Sequence, residues 1–452
     1  MNYDLVGVIG LFIVISIWAY VLFSTIDRII FSDNILVNTD IDLVVPTLVI
    51  FGINLVYLGL SIFVYVLYLV KYDRVRDHHL KMLGRKVRLF NNNYDLCSMI
   101  IPAHNEESVI RAAVLSCLEQ SYRNIEVVVV SHNSSDRTFE EAQVQDPRVK
   151  VLDLRTKEAG KSIALNYGVE HSTGKYILVL DADHELNKDF IEKALPGFEE
   201  PYAAVQGRVY PINRTYNFVT KMLSLEDDLW SDPIMTARTL LGRRCPLLGT
   251  GFIIKKRVLM EVGGFGKSLV DDYELSFRLY RKKYRIQFLP LCIVSGEHPP
   301  TLQVMLRQRA RWAKGFIDLL NQRIAEGTDI LGHLYWIAPI GAMAGVIMLS
   351  LVAYASIFNA IFGYLPYAFS YIPLRAWFLI TALTLILDML VLVKRHGRQG
   401  FRYALYLIPY IAFSQYAVVV LFKAFFVRSW GTTKTKHGAG RTVSKATPAI
   451  VR

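Results

Sequence analysis

The chain has 452 residues, of which 53% are hydrophobic, and it carries a formal net charge of +12. Its length allows two or three domains. The basic clusters flank apolar segments and have no interleaved aromatic residues, which disfavours nucleic-acid binding and favours attraction to anionic lipid headgroups. The four cysteines lack metal-ligand or redox spacing, so we expect reduced thiols.

Long apolar segments lie at both ends of the chain. About 20 helical residues cross a ~30 Å hydrocarbon core, so these segments are long enough to span a membrane, and buried core helices are the alternative. They are Leu5–Ser24, Leu43–Val70, Leu334–Phe362, Trp377–Val393 and Tyr403–Phe422. No clear cleavage site follows the first segment, so we expect it to be retained. The sequence predicts a multi-pass integral plasma membrane protein.

Charges beside the predicted spans indicate their orientation. The loop Thr25–Asp42 is acidic, whereas the segment 71–88 carries seven Lys or Arg residues against two Asp. The positive-inside rule therefore predicts that the polar region Asn91–Asp329 lies in the cytoplasm. Three spans after that region would place the tail 428–452 outside, yet the tail is basic and has no acid. The basic composition favours a cytoplasmic tail. A cytoplasmic tail requires either an extra crossing before it or one apolar segment that lies along the membrane interface.

The polar region alternates short apolar runs with helical patterns. Four runs read as strands, at 97–102, 125–131, 149–154 and 176–183, and three segments between them read as helices, at 106–120, 136–145 and 161–171. Near-continuous Val, Ile and Leu strands separated by helices predict a mostly parallel, Rossmann-like sheet covered on both faces. Ligands of such sheets bind beyond the carboxyl ends of the strands.

The fourth predicted strand, within "YILVLDADHEL", runs into Asp181 and Asp183. We expect these acids to alternate on the strand end, with the small Ala182 between them. Neighbouring carboxylates repel each other unless a cation lies beside them. Mg²⁺ or Mn²⁺ takes one or two carboxylates together with phosphate oxygens. The pattern therefore predicts a metal site at Asp183 and Asp181, and a solvated turn is the alternative.

Several further motifs follow in a fixed order. They are "SMIIPAHNEE", "AGKSIALNYGVEHSTGKYILVLDADHEL", "GTGFIIKKRVLMEVGGFGKSLVDDYELSFRL" and "QRARW". With these motifs, Cys97 to Gly315 resembles the family-2 membrane glycosyltransferases, which include cellulose, chitin, hyaluronan and poly-N-acetylglucosamine synthases. The resemblance implies a GT-A domain between transmembrane helices, a nucleotide-sugar donor and a divalent metal.

The resemblance also implies roles for individual residues. Asp272 is the expected general base for the acceptor hydroxyl, and its partner Asp271 is expected only to favour the helix start. Donor binding is expected from Asn105, Glu106, His132, Lys161, Asp181, Gln308, Arg311 and Trp312. Acceptor binding is expected from Gly249, Gly251 and Trp312. Gln308, Arg311 and Trp312 fall on one helical face, with a forked cation for the diphosphate and a flat ring for a sugar.

Each assignment has a plainer alternative. Gly249 and Gly251 also suit a tight turn, Lys161 an ordinary surface position, and Glu106 a helix start. The "QRARW" segment also suits an amphipathic helix at a membrane surface. Asp136 is more typical of a helix cap, and His298 is a second candidate for metal or diphosphate. Asp388, inside an apolar run, is expected to face a pore, a neighbouring helix or the interface.

The second strand departs from the family pattern. Many relatives end it with an Asp that contacts the nucleotide base, whereas "VVVVSHNSSDRT" places His132 there. A neutral imidazole nitrogen can accept the same base N–H, and a loop position without base contact is the alternative. The choice of UDP over another nucleotide therefore stays open.

The sequence predicts an inverting, metal-dependent transferase that builds a polysaccharide at the cytoplasmic membrane face. Its expected donor is UDP-N-acetylglucosamine or UDP-glucose, and the resemblance implies processive synthesis with export through its own spans. Single addition to a lipid such as a polyprenyl phosphate, diacylglycerol or ceramide is the alternative, and a non-catalytic export subunit is a third reading. The predicted segments are 1–70 and 331–427 (transmembrane), 71–96 (basic linker), 97–300 (GT-A domain), 301–330 (interface helices) and 428–452 (basic tail).

Overall fold

The computed structural model describes residues 41–86, 95–242, 244–325, 361 and 374–427. The predicted span 5–24, nearly all of the predicted span 334–362 and the basic tail lie outside the described residues. The described part contains an eight-stranded sheet. Its strands are β1 (Cys97–Ala103), β2 (Ile125–His132), β3 (Val149–Leu154), β4 (Tyr176–Val179), β5 (Glu185–Leu186), β6 (Tyr202–Pro211), β7 (Phe252–Lys255) and β8 (Arg285–Gly296).

The strand order in the sheet is β3-β2-β1-β4-β7-β6-β8-β5. Strand β1 pairs in parallel with β2 and β4, β2 pairs in parallel with β3, and β6 pairs in parallel with β8. Strand β7 is antiparallel to both β4 and β6, and β5 is antiparallel to β8. The mostly parallel sheet predicted from the sequence is therefore confirmed, with antiparallel strands added in its second half.

Residues 95–325 hold the sheet and form the predicted catalytic region, and the helices within this catalytic region follow the strands closely. They are α2 (Ile110–Leu118), α3 (Thr138–Ala142), α4 (Lys161–Glu170), α5 (Phe190–Ala194), α6 (Phe218–Glu226), α7 (Asp232–Leu240), α8 (Lys256–Glu261), α9 (Asp271–Arg281) and α10 (Leu302–Ala325). A short π-helix, Asp227–Ser231, joins α6 to α7. The three predicted helices correspond to α2, α3 and α4, each shorter than its sequence pattern.

The sheet buries apolar side chains on both faces because successive strand residues point in opposite directions. On one face, Met99 and Ile101 of β1 pack with Ile110 of α2. On the other face, Ile100 packs with Leu165 of α4. All five residues are almost completely buried. Truncating any of these aliphatic side chains to Ala would cost roughly 2–5 kcal/mol of unfolding free energy.

Helices on either side of the catalytic region pack against it. They are α1 (Ile41–Lys86), α11 (Leu374–His396), α12 (Gly400–Ala404), α13 (Leu407–Ser414) and α14 (Tyr416–Ala424). The predicted spans 43–70 and 377–393 fall within α1 and α11. Among the described residues, one helical stretch, Leu407–Ala424, is long and apolar enough to cross a membrane. It overlaps the predicted span 403–422, and the other spans stay predictions.

A buried ion-pair network joins the catalytic region to α11. Asp232 of α7 contacts Arg208 at 2.8 Å and also pairs with Arg395, at the end of α11. Arg395 Nε lies 2.6 Å from Asp228, which also accepts both terminal nitrogens of Arg214. All five side chains are buried. Because a buried charge without its partner is costly, these pairs fix α11 in one position against the domain.

Candidate active site

A tight turn, Asp181–His184, follows the central strand of the sheet. Strand β4 ends at Val179, and the turn closes with a 3.0 Å hydrogen bond from the His184 amide to the Asp181 carbonyl. The Asp181 amide donates to the Thr250 hydroxyl at 3.1 Å. The sequence pattern extended the strand to 183, so the two acids lie on a turn rather than alternating along an extended strand end.

This turn brings together three groups that can bind a metal ion. Ligand atoms of Asp181, Asp183 and His184 all lie within 4.8 Å of one another. The His184 ring contacts Asp183 through Nδ1 at 2.6 Å and packs against Gly296, where a Cβ atom would overlap it. Burial opposes the charged ring, but Asp183 and Asp181 hold the pKa of His184 above its ordinary value. Two carboxylates and an imidazole suit Mn²⁺, and the carboxylates also suit Mg²⁺.

Glu106, in the turn three residues after β1, lies beside the same acids. Burial raises the pKa of Glu106 to about 8, and Asp183 and Asp181 contribute to this rise through their charges. Carboxylates held this close repel one another, and a divalent cation relieves that repulsion. The residues present therefore fit a divalent metal.

Hydrogen bonds tie the ends of β1 and β2 together beside this acidic group. Asn105, with a left-handed φ of 58°, accepts the Ser135 amide at 2.8 Å, and the Glu106 amide donates to Thr138 at 2.7 Å. Asp136 accepts the Thr138 amide at 3.0 Å just before α3, whose N-cap residue is Arg137 rather than Asp136. The strand ends thus meet at one edge of the sheet.

Lys161 connects the metal-binding turn to the second half of the site. Its ammonium group pairs with Asp181 and donates to the Gly249 carbonyl at 2.9 Å. Burial disfavours the charged form, yet Asp181 and Asp271 hold the pKa of Lys161 above its ordinary value. Gly249 has a left-handed φ of 78°, and a Cβ atom there would lie 3.3 Å from Asp272 Oδ2. Lys161 is therefore a partly buried bridge between the acids.

Asp271 and Asp272 open helix α9, so both lie in its first turn. Asp272 Oδ1 accepts the Tyr273 amide at 2.9 Å. Burial and the charge of Asp271 raise the pKa of Asp272 to about 7, and burial also raises the pKa of Asp271. A carboxyl group with a pKa near 7 is suited to accept a proton at neutral pH.

Helix α10 brings a cation to these acids. Burial lowers the pKa of Arg311, while Asp271, Asp181 and Asp272 act in the opposite direction because they lie close to its guanidinium. Gln308 and Trp312 lie on the same helix, and the Arg309 guanidinium stacks over the Trp312 ring at 4.8 Å. The helix predicted for the "QRARW" segment is therefore present.

Two further predicted residues occupy confined positions. Gly251 has a left-handed φ of 61°, and a Cβ atom there would overlap Val294. His132 is 5% exposed, and its Nε2 contacts the Thr156 hydroxyl at 2.7 Å. Burial lowers the pKa of His132, which favours the neutral ring. Its predicted contact with a nucleotide base stays a prediction.

The remaining polar candidates lie elsewhere. His298 Nε2 is 3.0 Å from the Asp227 carboxylate, and His298 is not part of the metal-capable group found among the described residues. Asp388 is buried and accepts a hydrogen bond from Tyr65 of α1. It therefore faces a neighbouring helix, which is one of the three positions predicted for it.

Sequence reasoning missed two residues of the site. His184 directly follows the two aspartates, and that adjacency was the available signal. Gly315 lies where α10 crosses the loop before Asp271, and a Cβ atom there would lie 2.9 Å from Val270 Cγ1. One turn of α10 separates Gly315 from Arg311, so this close approach positions Arg311 over the acids.

A mostly parallel sheet with a metal-capable acidic turn beyond a central strand defines a GT-A-like glycosyltransferase fold. Residues 98–263 match the family described as Glycosyl transferase family 2, so the chain carries a family 2 glycosyltransferase domain. The mannosyltransferase PcManGT of Pyrobaculum calidifontis, solved with GDP-Man and Mn²⁺, superposes with a TM-score of 0.54 at 19% identity. That alignment covers 81% of this chain and 100% of the other, and it supports the fold alone.

Curated relatives are glycosyltransferases of more than one type. The probable glycosyltransferase YdaM of Bacillus subtilis is 34% identical over 228 residues, covering 48% of this chain and 54% of that protein. Beta-monoglucosyldiacylglycerol synthase of Trichormus variabilis is 34% identical over 229 residues, 48% of each chain. Poly-beta-1,6-N-acetyl-D-glucosamine synthase of Staphylococcus aureus is 24% identical over 242 residues, 53% of this chain and 58% of that protein. The chain thus spans about half the length of these relatives.

Proposed function

We propose that this protein transfers a sugar, with inversion, from a nucleotide-sugar donor to an acceptor hydroxyl. One observation carries the proposal: Lys161 contacts both Asp181 of the metal-capable turn and Gly249, beside Asp272. The metal group and the candidate base therefore belong to one continuous cluster. An inverting transfer needs a leaving-group site and a base on opposite sides of one sugar ring, and this cluster supports that arrangement.

In this proposal Asp183, Asp181 and His184 hold Mg²⁺ or Mn²⁺. When bound, the cation neutralises negative charge on the diphosphate leaving group. Lys161 neutralises the charge of Asp181. The Asp183 carboxylate and the His184 imidazole are the proposed groups that face the donor. Arg311 supplies a forked cation for phosphate oxygens. Asn105, Glu106 and His132, at the ends of β1 and β2, are the proposed nucleotide contacts, with Gln308 and Trp312 on α10.

Asp272 is the proposed base. Its carboxylate accepts the proton of the acceptor hydroxyl as that oxygen attacks the anomeric carbon. Burial and Asp271 make the carboxylate more basic than an exposed one, so it competes better for this proton at neutral pH. Gly249, next to Asp272, and Gly251, packed against Val294, are the proposed acceptor contacts on this side of the cluster.

Two acceptors follow from different observations. The "QRARW" motif and the similarity to a poly-N-acetylglucosamine synthase favour a growing polysaccharide, with UDP-N-acetylglucosamine or UDP-glucose as donor. The greater identity to monoglucosyldiacylglycerol synthases, 34% against 24%, favours one transfer to a membrane lipid. We further propose a multi-pass plasma membrane protein whose spans flank a cytoplasmic catalytic domain, with the segment boundaries predicted above.

The test is turnover by the full chain in detergent micelles with a panel of labelled nucleotide sugars and Mn²⁺ or Mg²⁺. We expect Asp183→Asn and Asp272→Asn to lower turnover about 100- to 10,000-fold while the protein remains folded. Asp153→Asn, on the partly exposed β3, is the matched control and should retain activity. Turnover retained in either site variant would refute the role proposed for that acid.

Product mass separates the two acceptors in the same assay. A ladder of masses supports polymer synthesis, whereas a single lipid-linked sugar supports the lipid acceptor. Donor hydrolysis without either product would leave the catalytic roles intact and contradict both acceptors.

A further inference from the structure

A cavity of about 240 Å³ lies between the catalytic region and the helices that follow α11. Its walls come from the loop before α6, from α6 itself, and from α12 with the residues after it. Three cations line it, Arg214, Lys221 and Arg402, together with Tyr403 and Tyr406. No acidic residue is among the described residues that line it. The cavity shares no residue with the acidic cluster of the candidate active site.

Arg214 gives the cavity a fixed, buried cation. The side chain is 7% exposed, is held by Asp228 through both terminal nitrogens, and stacks over the Tyr403 ring at 5.8 Å. Its Nε has no hydrogen-bond partner among the described residues. Asp228 therefore holds this guanidinium in place in the wall of the cavity, where its charge acts on the cavity without a direct contact through Nε.

Lys221 and Arg402 add charge that the described residues do not neutralise. Lys221 lies over the Tyr406 ring at 5.4 Å, and Arg402 is exposed. No ion pair joins either side chain to an acid within the described part of the chain. Asp228, the acid nearest in the network, already pairs with Arg214 and Arg395. The cavity therefore carries a surplus of positive charge.

The surroundings indicate where the ligand comes from. Tyr406 directly precedes Leu407–Ala424, the stretch long and apolar enough to cross a membrane. Apolar side chains next to the cavity-lining residues point to solvent: Phe218, Phe401, Leu405 and Ile408 are 52%, 55%, 78% and 72% exposed. Basic and tyrosine side chains beside exposed apolar ones are typical of a protein surface at the headgroup level of a bilayer.

We propose that this cavity binds the phosphate-bearing headgroup of an anionic membrane lipid. The phosphate accepts hydrogen bonds from Lys221 and Arg402, the charge of Arg214 lies in the wall behind it, and the acyl chains lie along Phe401, Leu405 and Ile408. Forked guanidinium groups match phosphate oxygens, and the cavity volume fits a headgroup rather than a whole lipid. Bound lipid would lock α6 to α12 and so hold the catalytic region at the membrane surface.

The test measures lipid retention by the full chain, without any donor, using native mass spectrometry from micelles doped with phosphatidylglycerol or phosphatidylcholine. We expect one phosphatidylglycerol retained in preference to phosphatidylcholine. Lys221→Gln with Arg402→Gln should weaken retention about 30-fold, at about 1 kcal/mol for each charge near the membrane. Lys221→Arg should retain the lipid, which separates loss of charge from loss of fold.

The matched control removes the same two charges at exposed positions outside the cavity, Arg398→Gln with Lys423→Gln. Equal weakening by the control pair would overturn the proposal, because it would show diffuse surface attraction. Saturation by inorganic phosphate with no preference for phosphatidylglycerol would also overturn it, since the ligand would then be a free anion. Equal retention of both lipids would overturn the requirement for an anionic headgroup.

Discussion

The raised pKa of Asp272 predicts the pH dependence of turnover. A general base acts in its deprotonated form, so kcat/KM should rise with pH through the pKa of the free enzyme's base. With that pKa at about 7, roughly a tenth of the protein is active at pH 6 and nine-tenths at pH 8. We therefore expect kcat/KM to increase about tenfold across that interval and to level off above it.

The neighbouring Asp271 provides the perturbation. Its charge is the largest contribution to the raised pKa of Asp272 after burial, whereas Lys161 acts in the opposite direction. Asp271→Asn removes the negative charge and keeps the shape of the side chain. The pKa of Asp272 should fall, and the rising limb of the profile should move to lower pH. The variant then keeps a larger fraction of its own plateau activity at pH 6 than the unaltered chain does.

The assay is initial-rate transfer from pH 5.5 to 8.5 with saturating Mn²⁺ at each pH, because metal affinity itself depends on pH. Asp153→Asn, on the partly exposed β3, should leave the rising limb of the pH profile at the same pH as in the unaltered chain. A flat profile for the unaltered chain would refute the assignment of Asp272. A limb that moves to higher pH in Asp271→Asn would refute the electrostatic reasoning.

Three other substitutions test separate parts of the structure. His184→Gln should weaken Mn²⁺ binding at least about tenfold, measured by electron paramagnetic resonance without substrate, and unchanged affinity would remove His184 from the metal group. Gly315→Val should lower kcat/KM about 100-fold because it displaces α10 from Val270 and so moves Arg311. Gly315→Ala should have a smaller effect, and a Gly315→Val rate equal to that of the unaltered chain would contradict this role. Asp228→Ala should cost about 3–5 kcal/mol of stability, seen as a lower thermal midpoint, because Arg214 loses its partner and Arg395 loses one of its carboxylate partners.

Strands and helices that depend on the pattern of nearby residues could be predicted from the sequence. The near-continuous burial of β1 and β2 follows from their runs of apolar residues, and the order of the motifs was enough to identify the domain. The end of β4 was predicted four residues too late because Leu180 and Ala182 continue the apolar pattern into the turn. Both are buried, as a strand residue would be, so composition cannot distinguish the turn from a strand here.

Contacts between distant segments could not be predicted from one sequence. Arg208, Asp232 and Arg395 are separate charges in the sequence, and only the packing of α7 against α1 and α11 brings them together. The same holds for Glu106, whose raised pKa depends on acids that follow another strand. Lys161 has the sequence context of an ordinary surface lysine, and only the fold places the Gly249 carbonyl beside it.

Helix α10 links the active site to the helices that follow. On one side Arg311 lies near the acids, and Gly315 allows the close contact with the loop before Asp271. On the other side Ala313 is buried with Val420 and Ala424 of α14. Since one rigid helix makes both contacts, a shift of α14 would move Arg311 relative to the acids. Transfer by this domain should therefore depend on the helices around it, and the catalytic region alone should be less active than the full chain.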